Sequence, residues 1–346
     1  MIMYTFGIFI GFAKTLIIVR NRLKIGRMMD KLEEEPFTLN RKRGGDEEEA
    51  LIKKCIWITN AQTYIYYGLG SITLTAGFLF TIIKRVSSND FRDWEFAYGP
   101  ITILNITYSP NYEISLCYQN LSIIWIGYHF VTADLLVADI LVHISFQFKM
   151  LQNSFRRIVS NSLAKQVEDK CGPVKICDPT GQPIVQWKYL NQTLKETIRY
   201  HMAILDMADE MEELCSGLLL FVFISTLGML CFIIYRASTL PFTDTQVLRN
   251  LFEGMSIALQ VLIICFWGQE VANESESVAH SILESNFAGT DLRFQRALQL
   301  AMLRSQRATA LTAGKFTSIG LPTFAWIMRT SYSAYMVVYN KNTKEE

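Results

Sequence analysis

Three ionisable side chains, Asp134, Asp139 and His143, lie within ten residues of one largely apolar stretch, HFVTADLLVADILVHISFQF. Asp139 and His143 are four residues apart and share a helical face, while Asp134 lies about 140° around the same helix from Asp139. Two carboxyls and an imidazole can pass a proton or hold a metal ion. At membrane depth such groups are costly and need a protein interior or water beside them. The same residues can instead serve as an interhelical hydrogen-bond network near the cytoplasmic end of their helix, and that use is favoured. A second polar interruption, Thr330, Ser331 and Ser333 in TSYSAYMVVY, raises the matching question of which partner each hydroxyl meets.

No catalytic frame accompanies these groups. The chain has no P-loop, G-x-S-x-G, H-E-x-x-H or C-x-x-C, and no solenoid repeat. An enzyme would have to build its site from scattered intramembrane polar groups, so no enzyme is expected. Cys171 and Cys177 have no metal-ligand spacing and no histidine pair near them. No metal and no other cofactor is expected, and the seven cysteines read as structural or free thiols.

The elements that must hold these residues are read from composition. Half of the 346 residues are hydrophobic, 19% are charged and mean hydropathy is +0.20. The apolar residues clump into six candidate spans, 1–19, 56–83, 115–148, 215–235, 251–271 and 310–339, each long enough for the ~20 residues that a hydrocarbon core of about 30 Å requires. The expected fold is all-α, a polytopic transmembrane helical bundle forming a single domain over 1–346.

The net charge of +1 is uninformative, but the placement of Lys and Arg sets an orientation. Basic residues crowd the loops after spans one and three, from Arg20 to Lys54 and from Lys149 to Arg199, and recur before the last span from Arg293 to Lys315. Those loops are expected in the cytoplasm, which places both ends of a six-span chain outside. An apolar span opening directly at Met1, with Lys14 inside it and no A-x-A site, does not look like a signal peptide. A missing first helix is the reading we favour, and seven spans would also leave the C-terminus extracellular. Of the glycosylation sequons, Asn105 is the one expected to face outward and carry glycan. Asn120 lies too close to the membrane, and Asn191 and Asn273 fall on the cytoplasmic side.

The third span is too long for a bilayer, so its end is expected to project into the cytoplasm. Residues 200–214, containing HMAILDMADEMEEL, have apolar positions at helical spacing. With 21–32 these form a small cytoplasmic helical layer, suited to assembly.

At this point the residues carry a resemblance. The tail TAGKFTSIGLPTFAWIMRTSYSAYMVVYN resembles the final helix of the insect odorant receptors, with an A-G-K-F start, a T-F-A centre and S-Y-S near the end. FWGQEVANESESVAHSILESNF resembles the stretch after their sixth helix, TADLLVADILVHISFQFKML their fourth and FAKTLIIVRNRLKIGRMMDKLEEEPF their second. The order covers nearly the whole chain and implies that the family's first helix of seven is absent. The chain departs from the pattern at Asn286-Phe287, where Trp is usual, and at Ala308-Thr309, where Lys-Pro is common.

The resemblance implies inverted topology relative to G-protein-coupled receptors and a tuning subunit of an odorant-gated, non-selective cation channel. Its partners would be a small volatile apolar ligand, membrane lipid and a shared odorant co-receptor in a heterotetramer, with no nucleic acid. Its place would be the plasma membrane of olfactory sensory neurons. The last helix would line the pore, with Ser333, Val337 and Lys341 on one face beside Asn340, and Val337 at the apolar gate. Lys341 stands where the pattern is usually apolar. The odorant pocket would lie in the outer half of the bundle. Candidates are Tyr66, Tyr67, Gly70, Ser71 and Leu74 on the second span; Trp125, Tyr128 and His129 on the third; Phe6 and Phe9 on the first; and Phe252 and Met255 on the fifth. Affinity there would come from burial, at about 25 cal/mol per Å², and from aromatic walls. The rival readings are a gustatory-type chemoreceptor, disfavoured by S-Y-S, and a G-protein-coupled receptor, which lacks support because neither D/E-R-Y nor N-P-x-x-Y is present.

Overall fold

The computed structural model describes residues 2–87, 96, 109–170, 185–239 and 245–345. Among them run α1 (Ile2–Leu32), α2 (Arg41–Ser87), α3 (Asn111–Arg156), α4 (Ile158–Lys170), α5 (Trp187–Thr239), α6 (Thr245–Leu283), α7 (Leu292–Ser305) and α8 (Leu321–Glu345). A two-stranded antiparallel ladder, β1 (Thr312–Ala313) with β2 (Thr317–Ser318), joins α7 to α8. By length and composition α2, α3, α5 and α6 can each cross a membrane. The expected all-α bundle is the architecture that forms.

Helix length explains the layering. The 46 residues of α3 and 53 of α5 extend about 69 Å and about 80 Å, more than twice a hydrocarbon core. Their surplus halves pack on each other. Leu141, Phe148 and Leu151 of α3 share one core with Leu194, Ile204 and Met211 of α5. Ile65, Leu79 and Ile224, in the apolar stretches, remain exposed within the chain. Lipid tails can cover an apolar side chain in a span, whereas a helix continuing into water must bury its own apolar face.

The connection between α1 and α2 is clasped onto that layer by backbone capture. Arg43 bonds Glu48 at 2.5 Å, donates to the carbonyls of Pro36 and Thr38, and lies 4.1 Å from the Tyr200 ring centroid. Asn153 and Arg157, at the end of α3, both donate to the Gly44 carbonyl, and Asn161 of α4 donates to that of Arg43. Gly45 has φ 63, and a Cβ there would stand 2.2 Å from the Arg157 guanidinium, so the position needs glycine for both reasons.

The expected span 310–339 is corrected at its start. Helix begins only at Leu321, and the A-G-K-F motif is a turn in the ladder rather than a first helical turn. Gly314 and Lys315 both have φ 61, which a right-handed helix cannot use. A Cβ at Gly314 would stand 2.4 Å from Leu220 of α5. Pro322, which lacks an N–H, sits in the first turn of α8, where none is needed.

Candidate functional site

Side chains from α2, α3 and α6 converge in one part of the bundle. Tyr66 is buried against Val131 and Leu135 of α3, with Tyr67 of α2 and Leu259 and Ile263 of α6 around it. One helical turn on, the Tyr67 and Tyr128 rings lie 5.7 Å apart, and the Tyr67 hydroxyl is 2.6 Å from Thr132 Oγ1. Ser71 donates to the Tyr67 carbonyl and lies 3.2 Å from the Tyr128 hydroxyl. Gly70 faces Val131, which a Cβ there would meet at 3.6 Å, and Leu74 lies beside Gly127 of α3. Thr73 closes the group toward α6 by a 3.1 Å contact with Ser256. These residues offer dispersion, aromatic faces and a few hydroxyls, without a net charge.

The ionisable trio of α3 is divided among three partners. Asp134 takes two hydrogen bonds from Lys14 of α1, at 2.8 and 2.9 Å, and both side chains are buried. The Lys14 ammonium also lies 3.5 Å from the Phe130 ring centroid. Asp139 accepts from Gln62 at 3.2 Å, and Gln62 in turn accepts from the Trp267 indole at 2.6 Å. His143 Nδ1 lies 3.7 Å from Cys55 Sγ. Among the described residues, no group of three or more metal-ligating side chains gathers here. The arrangement is an interhelical network tying α1, α2 and α6 to α3.

Other sequence-predicted residues stand apart from the α2–α3–α6 group. Phe9 meets Phe221 of α5 edge to face at 6.4 Å, and Phe6 is exposed on the same helix. Trp125 and His129 pair ring to ring at 4.8 Å, with Trp125 69% exposed. Met255 is exposed and Phe252 is half-buried. Asn105, Cys171 and Cys177 lie outside the described residues, while Cys55, Cys117, Cys215, Cys231 and Cys265 are free thiols.

On α8 the hydroxyls separate by face. Ser331 is buried, donates to the Ile327 carbonyl at 2.8 Å and lies 3.5 Å from the Leu227 carbonyl of α5. Ser333 and Asn340 are exposed, and Val337 is 69% exposed. The Lys341 side chain lies outside the described set.

Sequence reasoning missed the partners. Gln62, Thr73 and Ser256 carried no motif, Trp267 stood in a motif that did not name its partner, and Lys14 stood out only as a charge in an apolar run. The available signal was helical phase: Ser256, Gln260, Ile263 and Trp267 recur on one face of α6, and Gln62, Tyr66 and Thr73 on one face of α2.

Comparison with known proteins places this geometry. A sequence model described as "7tm Odorant receptor" matches residues 1–332. Odorant receptor 85c of Drosophila melanogaster is 29% identical over 152 residues, which are 44% of this chain and 39% of that protein. The stretch shared with it therefore spans about two fifths of that relative's length. Odorant receptor 46a, isoform A, of the same organism is 23% identical over 337 residues, covering 95% of this chain and 79% of that protein. The solved structure of the insect olfactory receptor OR5 from Machilis hrabei in complex with eugenol superposes with a TM-score of 0.77 at 14% identity, covering 98% of this chain and 81% of that one. That likeness establishes a shared fold.

Proposed function

We propose that this chain, which belongs to the 7tm odorant receptor family, is the odorant-binding subunit of a ligand-gated, non-selective cation channel. It would assemble with a shared odorant co-receptor as a heterotetramer in the plasma membrane of olfactory sensory neurons. The α2–α3–α6 group would hold a small volatile ligand, and α8 would border the ion path with its end outside the cell. Eugenol in the OR5 complex is a ligand of that protein; a volatile molecule of comparable size is our inference for this chain.

One observation carries the reading. α8 packs on α5 through Ile327 and Ser331, leaving a strip of Ser333, Val337 and Asn340 uncovered within the chain. Such a strip joins an apolar constriction, able to close by excluding water, to polar groups that water can wet when it opens. Ser331 does not belong to it, since it is buried against α5 and its hydroxyl donates within α8 to the Ile327 carbonyl.

The test is odorant-evoked current in cells expressing this chain with the co-receptor. Val337→Ser should raise basal conductance, because a hydroxyl makes the constriction easier to wet. Complexes delivered to the surface that stay silent to odorants would remove the channel reading, and unchanged basal current in Val337→Ser would remove the gate assignment.

A further inference from the structure

Two hydrogen bonds of opposite sense meet at Gln62 of α2. Its Nε2 donates to Asp139 of α3 at 3.2 Å, and its Oε1 accepts from the Trp267 indole of α6 at 2.6 Å. Only one orientation of the amide satisfies both neighbours, because a carboxylate only accepts and an indole N–H only donates. The amide is therefore fixed, and it fixes Trp267, which is 7% exposed. Toward the ligand group, Gln62 lies one turn from Tyr66 and Trp267 one turn from Ile263, and Ile263 packs against the cluster of Tyr66, Val131 and Leu135. Toward the pore helix, Trp267 adjoins Gly268, where a Cβ would stand 2.6 Å from Ile319 Cγ2 and 2.9 Å from the Ile319 carbonyl oxygen. The Ile319 N–H donates to the Leu311 carbonyl at 2.9 Å, and α8 begins two residues later at Leu321.

We infer that Trp267, held by Gln62, is the positioning residue that carries a change at the ligand group to the start of α8. This rests on the reading of the α2–α3–α6 group as the odorant site and of α8 as the pore helix. A ligand that displaces Tyr66 moves Gln62 with it, since both stand on one face of α2. The indole follows through its hydrogen bond, and the backbone of α6 at Gly268 bears directly on the segment that enters α8. A second hydrogen bond joins the same two helices, Thr73 to Ser256 at 3.1 Å. It lies three turns further along α2, and Ser256 is about 16 Å from Trp267 along α6. The two bonds therefore hold the same pair of helices, but one of them adjoins the junction.

The experiment records odorant-evoked current against concentration from the full chain with the co-receptor, with surface delivery scored separately. Trp267→Phe, which keeps a ring and removes the N–H, should lower the maximal current about fivefold, the factor expected for one net hydrogen bond. Ser256→Ala should instead change the concentration required and keep the maximum. Adding Trp267→Phe to Gln62→Met should lower the maximum no further than Gln62→Met alone, because the indole has then already lost its acceptor. Where only one of Trp267→Phe and Gln62→Met reaches the surface, its comparison with Ser256→Ala decides. An equal fall of the maximum in Ser256→Ala, losses that add in the double variant, or an unchanged maximum in the delivered variant overturns the relay and leaves the receptor reading intact. Silence of the wild-type complex to every odorant tried overturns the receptor reading, and the relay with it.

Discussion

Lys14 is a primary amine sealed between α1 and α3, and its charge is answered by one carboxylate. With both partners buried at 2.8 Å, removing either leaves an uncompensated charge in a medium that cannot solvate it. Lys14→Met should therefore cost about 3–5 kcal/mol, read as a fall in thermal stability of the solubilised protein. The double variant Lys14→Met with Asp134→Leu should recover most of it, since an apolar pair of similar volume needs no desolvation. A double variant as unstable as the single one would mean that the charges do more than neutralise each other. His201 of α5 makes a different electrostatic claim, outside the apolar stretch. Burial, with the Arg304 charge beside it, holds its imidazole down at about 4, below its ordinary 6.5. Between those values the unfolded chain binds a proton that the folded chain does not, so stability falls as pH drops from 7 toward 4. By pH 5 the loss is about 2 kcal/mol. His201→Asn should flatten that part of the profile, measured as melting temperature against pH. At this scale the sequence showed which residues were costly, such as Asp134 and Asp139, but not which distant side chain met each of them. Lys14 and Asp134 are 120 positions apart, and only the phase and approach of two helices bring them together.

At the scale of elements, the contact between α6 and the start of α8 is made where side chains are absent. A Cβ on Gly268 would stand 2.6 Å from Ile319 Cγ2 and 2.9 Å from the Ile319 carbonyl oxygen, and one on Gly320 would stand 2.6 Å from Gln269 Oε1. A carbonyl in the segment that enters α8 cannot move without moving the helix. Gly268→Ala should therefore displace α8 and reduce evoked current severalfold in surface-delivered complexes. Gly26→Ala, where nothing lies within 4 Å, should leave current unchanged and add up to about 1 kcal/mol of helix stability. Equal effects of the two would show that the junction has no special role. The helices themselves were legible because apolar runs of span length have few alternatives, and the amphipathic pattern of residues 200–214 correctly announced the start of a packed layer. The ladder before α8 was not legible. Leu311 to Ser318 contains no strand long enough to show alternation, and the residues read as a helix start are set by positive φ at Gly314 and Lys315.

At the scale of the whole molecule, orientation and the division between lipid and water follow from where charge and apolar surface lie along the chain. If the basic loops face the cytoplasm, an epitope appended after Glu346 should bind antibody on intact cells. Staining that requires permeabilisation would reverse the bundle and remove the pore assignment for α8. The class of protein was already settled by residue order: apolar runs long enough to span a bilayer, spaced by basic loops, admit a helical membrane bundle and little else, because an unpaired backbone cannot cross lipid. The same order held enough of the pattern to indicate the family. Packing in three dimensions was needed to bring Tyr66, Tyr67, Gly70, Ser71 and Leu74 against Tyr128 and α6, while Phe6, Phe9 and Trp125 turn elsewhere. Packing, too, buried Ser331 against α5, with its hydroxyl donating to the Ile327 carbonyl. The physical reason is that lipid accepts any apolar face a helix presents, so composition sets that a helix crosses, whereas its rotation and neighbours are set by polar pairs and close glycine contacts between residues far apart in the chain.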